Sequence, residues 1–310
     1  MRISICVPSA RSSSVVSDCL DSLSIQSFSD WEAIIVGQGQ QDFELRSVVQ
    51  RYSKDDSRFR YVNIPEKGSS RARNAGASAA TGEIIAFIDD DCVADADWLL
   101  TILACFDADP SLSLVGGSLV AAPRDRWRIS TCPYGLYAEC VYRPGPGVHP
   151  PDGWGWLTAN FAVRRSVVDR ADVLFDVFLG PGTEYPAADD TDLLLQFERN
   201  GLSMLSTPRA VVCHAHGRRY GLRSVLRLLR SYALGNGALA AKLTLMGDKG
   251  GLEWKKLTLH ECITSWMPIR IHRIPSNLWR LAYFNLGYRR CLRRYVVPAG
   301  SEVLQPRHDS

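Results

Sequence analysis

No stretch of 18 or more consecutive apolar residues occurs in the 310-residue chain, so a membrane-spanning helix is not expected. The opening Met-Arg-Ile-Ser-Ile-Cys-Val-Pro reads as a strand entering a turn, without the long apolar core and small-residue cleavage site of a secretion signal. The nine cysteines are scattered, Cys132 and Cys140 being the closest pair, and no Cys-x-x-Cys occurs, which argues against a zinc or dithiol site. Most are expected to be small buried apolar residues in a reducing compartment, and the protein to be cytoplasmic. No internal repeat or low-complexity tract is present. Net charge is scarce too, +3 overall. With 46% hydrophobic and 22% charged residues, however, the chain is too apolar to be disordered and long enough to bury a sizeable core.

The near-neutral total hides a division. Residues 1–213 carry 19 Lys/Arg against 28 Asp/Glu, whereas residues 214–310 carry 17 against 5. A basic end on an acidic body suggests an anionic partner surface. Along the first third, short apolar runs alternate with amphipathic stretches. The spacing predicts strands at residues 3–7, 31–36, 59–64 and 83–88, and helices at 12–25, 43–52, 70–80 and 96–106. Ser69 or Ser70 is expected to cap the third helix, and Gly82 to close it. This rhythm gives a mainly parallel sheet covered on both faces, whose ligands sit at the carboxyl ends of the strands. Residues 124–155, rich in Pro, Gly, Tyr and Trp, read as a long structured loop region around one short helix. A helix over 191–199 and a short strand at 211–213 follow, and from Arg223 onward the pattern is helical.

The most informative segment is Ala86-Phe87-Ile88-Asp89-Asp90-Asp91-Cys92. Three carboxylates follow directly on a buried strand, an arrangement that is costly unless something cationic sits there. Hard oxygen ligands of this kind suit Mg²⁺ or Mn²⁺. A solvated acidic turn capping the next helix, near Asp95 and Asp97, accounts for the same run equally well.

Several ordered motifs bear on that choice. Ile5-Cys6-Val7-Pro8-Ser9, Ser70-Arg71-Ala72-Arg73-Asn74-Ala75-Gly76, the strand from Gly82 into Asp89-Asp90-Asp91, Thr158-Ala159-Asn160-Phe161-Ala162-Val163-Arg164-Arg165, and Gly180-Pro181-Gly182 followed by Asp189-Asp190-Thr191-Asp192-Leu193 occur in this order. Over residues 1–220 the sequence resembles a family 2 inverting glycosyltransferase. The resemblance implies a GT-A-type α/β fold: a nucleotide-diphospho-sugar-binding sheet flanked by helices, with residues 221–310 as a basic helical extension. It implies a donor site at Pro8, Ser9, Ala10, Gln38, Arg71, Arg73, Asp89, Asp90 and Asn160. It also implies a Mn²⁺ or Mg²⁺ ion held by the Asp-x-Asp residues Asp89 and Asp91 with His214, His216 being the substitute. Asp190, or less favourably Asp189, is the catalytic base implied by the later acidic motif.

The chemistry fits these residue types. A divalent cation on Asp91 and Asp89 neutralises the leaving diphosphate, and Arg71 or Arg73 adds charge-assisted contacts. A carboxylate at a helix start suits a general base, and displacement in a single step inverts the anomeric carbon. Each residue also has a plainer reading: a solvated face for the arginines, an acidic first turn for Asp189 and Asp190, a structural histidine at 214, a turn asparagine at 160. Trp154 and Trp156 offer ring faces to an acceptor sugar, or pack within their own loop. One departure concerns the base-reading aspartate after the second strand. Glycine stands there, in Ile35-Val36-Gly37-Gln38-Gly39-Gln40, leaving Gln38 to make a neutral contact.

The acceptor implied is a glycan or a lipid-linked sugar, in cell-surface polysaccharide biosynthesis. Arginine mixed with Leu, Trp and Tyr in residues 223–234 and 278–297 suits an anionic membrane surface or, alternatively, helices packed on the catalytic domain. Peripheral attachment to the inner face of the cytoplasmic membrane is therefore expected, and nucleic acid is not, since no module for it is visible. Two rivals are a haloacid-dehalogenase-like phosphatase, whose nucleophile normally follows the first strand whereas three strands precede this cluster, and a non-catalytic nucleotide-sugar or glycan-binding scaffold.

Overall fold

The apolar runs of the first third become a sheet. Ile3–Ser9 (β1) is buried along its whole length, as is Ile84–Ile88 (β4), while Trp31–Gln38 (β2) is buried except at its last residue. β1 pairs in parallel with both β2 and β4, and Phe59–Ile64 (β3) extends the parallel half beyond β2. Ser13–Ser24 (α1), Phe43–Asp55 (α2), Ser69–Ala79 (α3) and, after the two-residue strand Val93–Ala94 (β5), Trp98–Ala108 (α4) complete the alternation. In α1, Val16, Cys19, Leu20 and Leu23 form the buried stripe their spacing predicts. The coordinates are a computed structural model that describes residues 1–10, 13–39, 43–124, 128–171, 174–253, 255–256 and 274–307.

Beyond β4 the sheet turns mixed. Leu114–Ala121 (β6) and Asn160–Arg164 (β9) join it, β9 lying antiparallel between β4 and β6. Phe87 of β4 stacks on Phe161 of β9 at 4.6 Å across this junction. The short strand expected at 211–213 is the end of an eleven-residue strand, Met204–His214 (β10), parallel to β6 and antiparallel to β5. The strand order is β3-β2-β1-β4-β9-β6-β10-β5. At the sheet's opposite end, Glu32 ties four segments together: its carboxylate accepts from Ser4 Oγ at 2.7 Å, from Thr81 N at 2.8 Å, and from Arg60.

Two local expectations are corrected. The residue before α3 is Gly68, whose backbone (φ 133°) no serine readily adopts, and no side chain caps the helix; its end is at Ala80 rather than Gly82. Residues 124–155 contain no helix among the described residues. Two short strands occur there instead, Ser130–Thr131 (β7), paired with Arg219–Tyr220 (β11), and Cys140–Tyr142 (β8), paired with β10. With prolines at 123, 133, 144, 146, 150 and 151, an uninterrupted helical ladder has little room. Of the eight described cysteines, six are buried and all are unpaired.

The chain divides into two compact units, Met1–Leu174 with Leu193–Gly221, and Phe175–Asp192 with Leu222–Ser310. The first holds the sheet. The second contains the helices Leu222–Leu245 (α7) and Ile274–Arg294 (α8), the two-residue strands Tyr295–Val296 (β12) and Gln305–Pro306 (β13), and the segment leading into Asp189–Arg199 (α6). The four-residue turn of helix Arg165–Val168 (α5) follows β9. Phe175–Asp192, which the sequence reading placed within residues 1–220, groups with the C-terminal helices. No described helix is long and apolar enough to cross a membrane.

Candidate active site

The carboxyl end of β4 gathers residues that lie far apart in the chain. Its three aspartates each meet a different partner. Asp89 Oδ1 lies 2.7 Å from Arg73 Nη2, a buried guanidinium on α3. Asp90 Oδ2 accepts from Ser9 Oγ, at the end of β1, at 2.7 Å. Asp91 Oδ1 lies 3.2 Å from His214 Nε2, at the end of β10, and its Oδ2 3.9 Å from Arg219 Nη2. Local packing explains why α3 reaches this point. A Cβ on Gly76 would stand 2.1 Å from Cys6 Sγ, so only glycine lets the helix lie this close to β1.

The His214–Asp91 pair carries information about charge. Nδ1 of His214 lies 3.0 Å from the Pro133 carbonyl oxygen, which can only accept, so Nδ1 bears the proton. In the neutral ring, Nε2 then faces the Asp91 oxygen with a lone pair, and a second proton or a cation relieves the opposition. Burial pulls the His214 pKa down, but the hydrogen bond and charge of Asp91 outweigh it and raise it. Asp91 and His214 are both buried. Cys92 completes a group whose ligand atoms lie within 4.8 Å of one another. Burial pushes the Cys92 thiol well above its ordinary range, so oxygen and imidazole nitrogen are the better ligands of the three. A carboxylate and an imidazole at the end of a strand fit a hard or borderline divalent cation. His216, the substitute, is bound elsewhere: its Nε2 lies 2.6 Å from Asp18 Oδ2.

Other predicted residues have more structural places. Gln38 Oε1 accepts from Gly68 N at 2.8 Å, tying the end of β2 to the start of α3. Pro8 is buried, Ala10 exposed and Arg71 half-buried. Asn160 is a correction. It is fully buried, its Oδ1 accepts from Trp98 Nε1 at 2.8 Å, and its Nδ2 donates to Ser118 O and Ala210 O at 2.8 and 2.9 Å. Its amide clamps β6, β9, β10 and α4 together, leaving no donor for a sugar hydroxyl. Trp156 is buried against Phe161 (4.9 Å) and Trp154 lies edge-on to Tyr142 (5.0 Å), the packing alternative of the sequence reading.

In the second unit, Asp189 is buried and Asp190 half-exposed at the first turn of α6, where Asp190 Oδ1 accepts from Thr191 N at 2.8 Å. The preceding Ala188 has φ 72°, the one positive φ among described non-glycine residues. Such a conformation is sparsely populated outside functional or strained sites. Sequence reasoning missed Lys242, which is fully buried with Nζ 2.9 Å from Asp176 Oδ2 and 2.7 Å from Asp192 Oδ1. The signal was present, as a single cation in the run Ala238-Leu239-Ala240-Ala241-Lys242-Leu243.

Comparison with known proteins bears on the same region. The model of glycosyl transferase family 2 matches residues 4–165. A glucosyl-dolichyl phosphate glucuronosyltransferase of Haloferax volcanii is 30% identical over 122 residues, 39% of this chain and 39% of that protein. The uncharacterised glycosyltransferase EpsJ of Bacillus subtilis is 30% identical over 179 residues, 56% of this chain and 51% of that one. The chain thus spans between two-fifths and about half of the length of these relatives. Among solved structures, the mannosyltransferase PcManGT of Pyrobaculum calidifontis, in complex with GDP-Man and Mn²⁺, shares the fold. Its TM-score is 0.59 at 16% identity, covering 92% of this chain and 87% of that one.

Proposed function

The chain belongs to glycosyl transferase family 2, and from that premise we propose that it transfers a sugar from a nucleotide-diphospho-sugar to an acceptor hydroxyl, with inversion and with a divalent cation. The observation that carries this reading is the buried Asp91–His214 pair at the end of β4, a ready place for an ion beside the strand ends where such sheets bind ligands. Asp91 and His214 would hold Mn²⁺ or Mg²⁺, which supplies charge neutralisation for a departing diphosphate.

The chain's own residues have distinct tasks. Arg73 is held by Asp89 and stays charged when buried, so it gives the donor phosphates a fixed cation, with Arg71 two residues earlier on α3. Ser9, steadied by Asp90, lies with Pro8 and Ala10 at the end of β1 and contacts the nucleoside. Gln38 contacts the base with its amide nitrogen, since its oxygen is engaged by Gly68. Asp89 acts through Arg73 rather than as a direct metal ligand. Asp190, half-exposed at a helix start, takes the acceptor proton, and Asp189 is the reserve for that role. The indoles of Trp154 and Trp156 shape the acceptor side from within their loop.

The acceptor proposed is a glycan or lipid-linked sugar in cell-surface polysaccharide biosynthesis. The Haloferax relative is named for a dolichyl phosphate-linked glucose. Support within this chain comes from α7, where Leu222, Leu226 and Leu229 are 58, 43 and 46% exposed and recur at helical spacing beside the exposed Arg223, Arg227 and Arg230. That pattern suits the inner, anionic face of the cytoplasmic membrane. The test is a panel of nucleotide sugars followed by thermal shift with and without Mn²⁺. A donor that stabilises the protein only with the metal, and is consumed when an acceptor is added, supports the reading; a panel without any metal-dependent shift refutes it.

A further inference from the structure

Lys242 is the feature of the second unit that the proposed chemistry leaves unexplained. It is 0% exposed, and the two carboxylates around it are buried as well. Nζ lies 2.9 Å from Asp176 Oδ2, and 2.7 and 2.8 Å from the two oxygens of Asp192. Asp176 is fixed in turn, accepting from Phe178 N at 3.0 Å and from Leu304 N at 2.8 Å. Burial opposes the ammonium charge, but Asp192 and Asp176 outweigh it and raise the Lys242 pKa. Taking three charges out of water is expensive, and apolar side chains of similar volume often hold a core as well or better. Stability alone is therefore a poor reason for this cluster.

What the lysine reaches is the turn that opens α6. Asp192 lies two residues beyond Asp190, and its backbone N donates to Ala188 O at 2.9 Å. Ala188 holds the strained positive φ of 72°, a conformation that persists only where the surroundings enforce it. α7 supplies a second contact, because a Cβ on Gly235 would stand 2.7 Å from Ala187 O. Gly235 and Lys242 are seven residues apart, two turns of one helix face. The same face thus meets the turn from its backbone side and from its carboxylate side.

We propose that Lys242 is a positioning residue: through Asp192 it holds the turn of residues 188–192 in the conformation that orients Asp190 for proton removal. The inference rests on Asp190 being the base of the proposed reaction. It gives α7 a catalytic purpose apart from any membrane contact.

The test uses the full chain with Asp192→Asn, which keeps side-chain volume and leaves Lys242 paired with Asp176. At saturating donor, turnover is expected to fall roughly 10²-fold, the scale of a small misplacement of a reacting group, while donor KM and Mn²⁺-dependent donor binding stay at the parent's values. The double variant Asp190→Asn/Asp192→Asn should be no slower than Asp190→Asn alone, because groups acting as one unit are not additive. A folded Asp192→Asn protein with the parent's turnover overturns the proposal, as do losses that multiply in the double variant. Amide exchange over residues 185–193 gives a readout independent of turnover. It should speed up in Asp192→Asn while residues 84–91 keep their protection, and unchanged exchange overturns the holding role. A parent that binds donor yet transfers nothing counts against Asp190 as base and leaves the exchange result to decide on Lys242.

Discussion

Two acidic clusters, one at the end of β4 and one at the start of α6, solve the same electrostatic problem in opposite ways. Asp89, Asp90 and Asp91 each meet a separate neighbour on a different element: Arg73, Ser9 and His214. A hydroxyl and an imidazole can exchange a carboxylate for a ligand at modest cost. Asp192 instead shares with Asp176 a lysine that has no contact with solvent, and such a partner cannot leave without stranding two charges. In the proposed reading the first cluster is the one that binds and releases, through Asp91 and His214. The second is a clamp, and the residue it leaves half-exposed, Asp190, is the one proposed to do chemistry. Acidic density by itself therefore says little; what separates a binding cluster from a scaffold is whether its partners can be exchanged.

The contrast breaks most readily at Asp190. Asp190→Asn should lower turnover by roughly 10²–10⁴-fold, the range of general acid–base catalysis, with nucleotide binding intact by calorimetry. Near-parental turnover would make the α6 cluster purely structural. Lys242→Met tests the clamp as a clamp. It leaves Asp176 and Asp192 buried without their cation, and chemical denaturation should show a loss of about 3–5 kcal/mol. A loss below about 1 kcal/mol would mean that the carboxylates reach water or take up protons without penalty, as surface pairs do.

Asp91→Ala sharpens the other side. Loss of this carboxylate should reduce Mn²⁺-dependent donor affinity by roughly 10²-fold or more, since even outer-shell changes at metal sites cost 10–100-fold. The fold should be little affected, because Ser9 on β1 and Arg73 on α3 keep their partners Asp90 and Asp89. An equal affinity with and without Mn²⁺ in the parent would show that His214 and Asp91 form only a buried hydrogen bond.

Much of the first cluster was legible in the sequence. The short apolar runs and the helical spacings place β1 to β4 and α1 to α4, and three aspartates after an apolar run mark the strand end. The joining of Asp91 to His214 was not legible from spacing, since β10 reaches the site by pairing with β5 and β6, and it came through the resemblance. β6 is not among the strands expected from the sequence, and Gly116-Gly117 interrupts its apolar run. The glycines are there for space: a Cβ on Gly117 would stand 2.2 Å from Ala210 O and 2.5 Å from Asn160 Nδ2. The same contact explains the correction at Asn160, whose amide looked available only because its partners, Trp98, Ser118 and Ala210, are distant in the chain. Lys242 went unread for the reverse reason. A lone lysine in an alanine-rich helix looks like a solubilising residue until two carboxylates 50 and 66 positions away fold onto it.

Glu32 supplies the smallest effect and a control for both clusters, being a buried carboxylate with neither ligand nor catalytic task in this reading. Burial would raise its pKa, but hydrogen bonds from Thr81, Ser4 and Arg60 outweigh it and hold the carboxyl below the usual glutamate range. A depressed folded pKa contributes stability above the unfolded value, lost as pH falls through the folded one. Acid titration followed by circular dichroism should thus show stability declining below the ordinary glutamate range, with a flatter decline in Glu32→Gln. At neutral pH that variant should lose about 1–3 kcal/mol, from donors left facing an amide, and transfer per folded molecule should stay unchanged. A Glu32→Gln protein with impaired turnover would mean that the far end of the sheet is coupled to the strand ends, and the division between binding and scaffolding carboxylates would not hold.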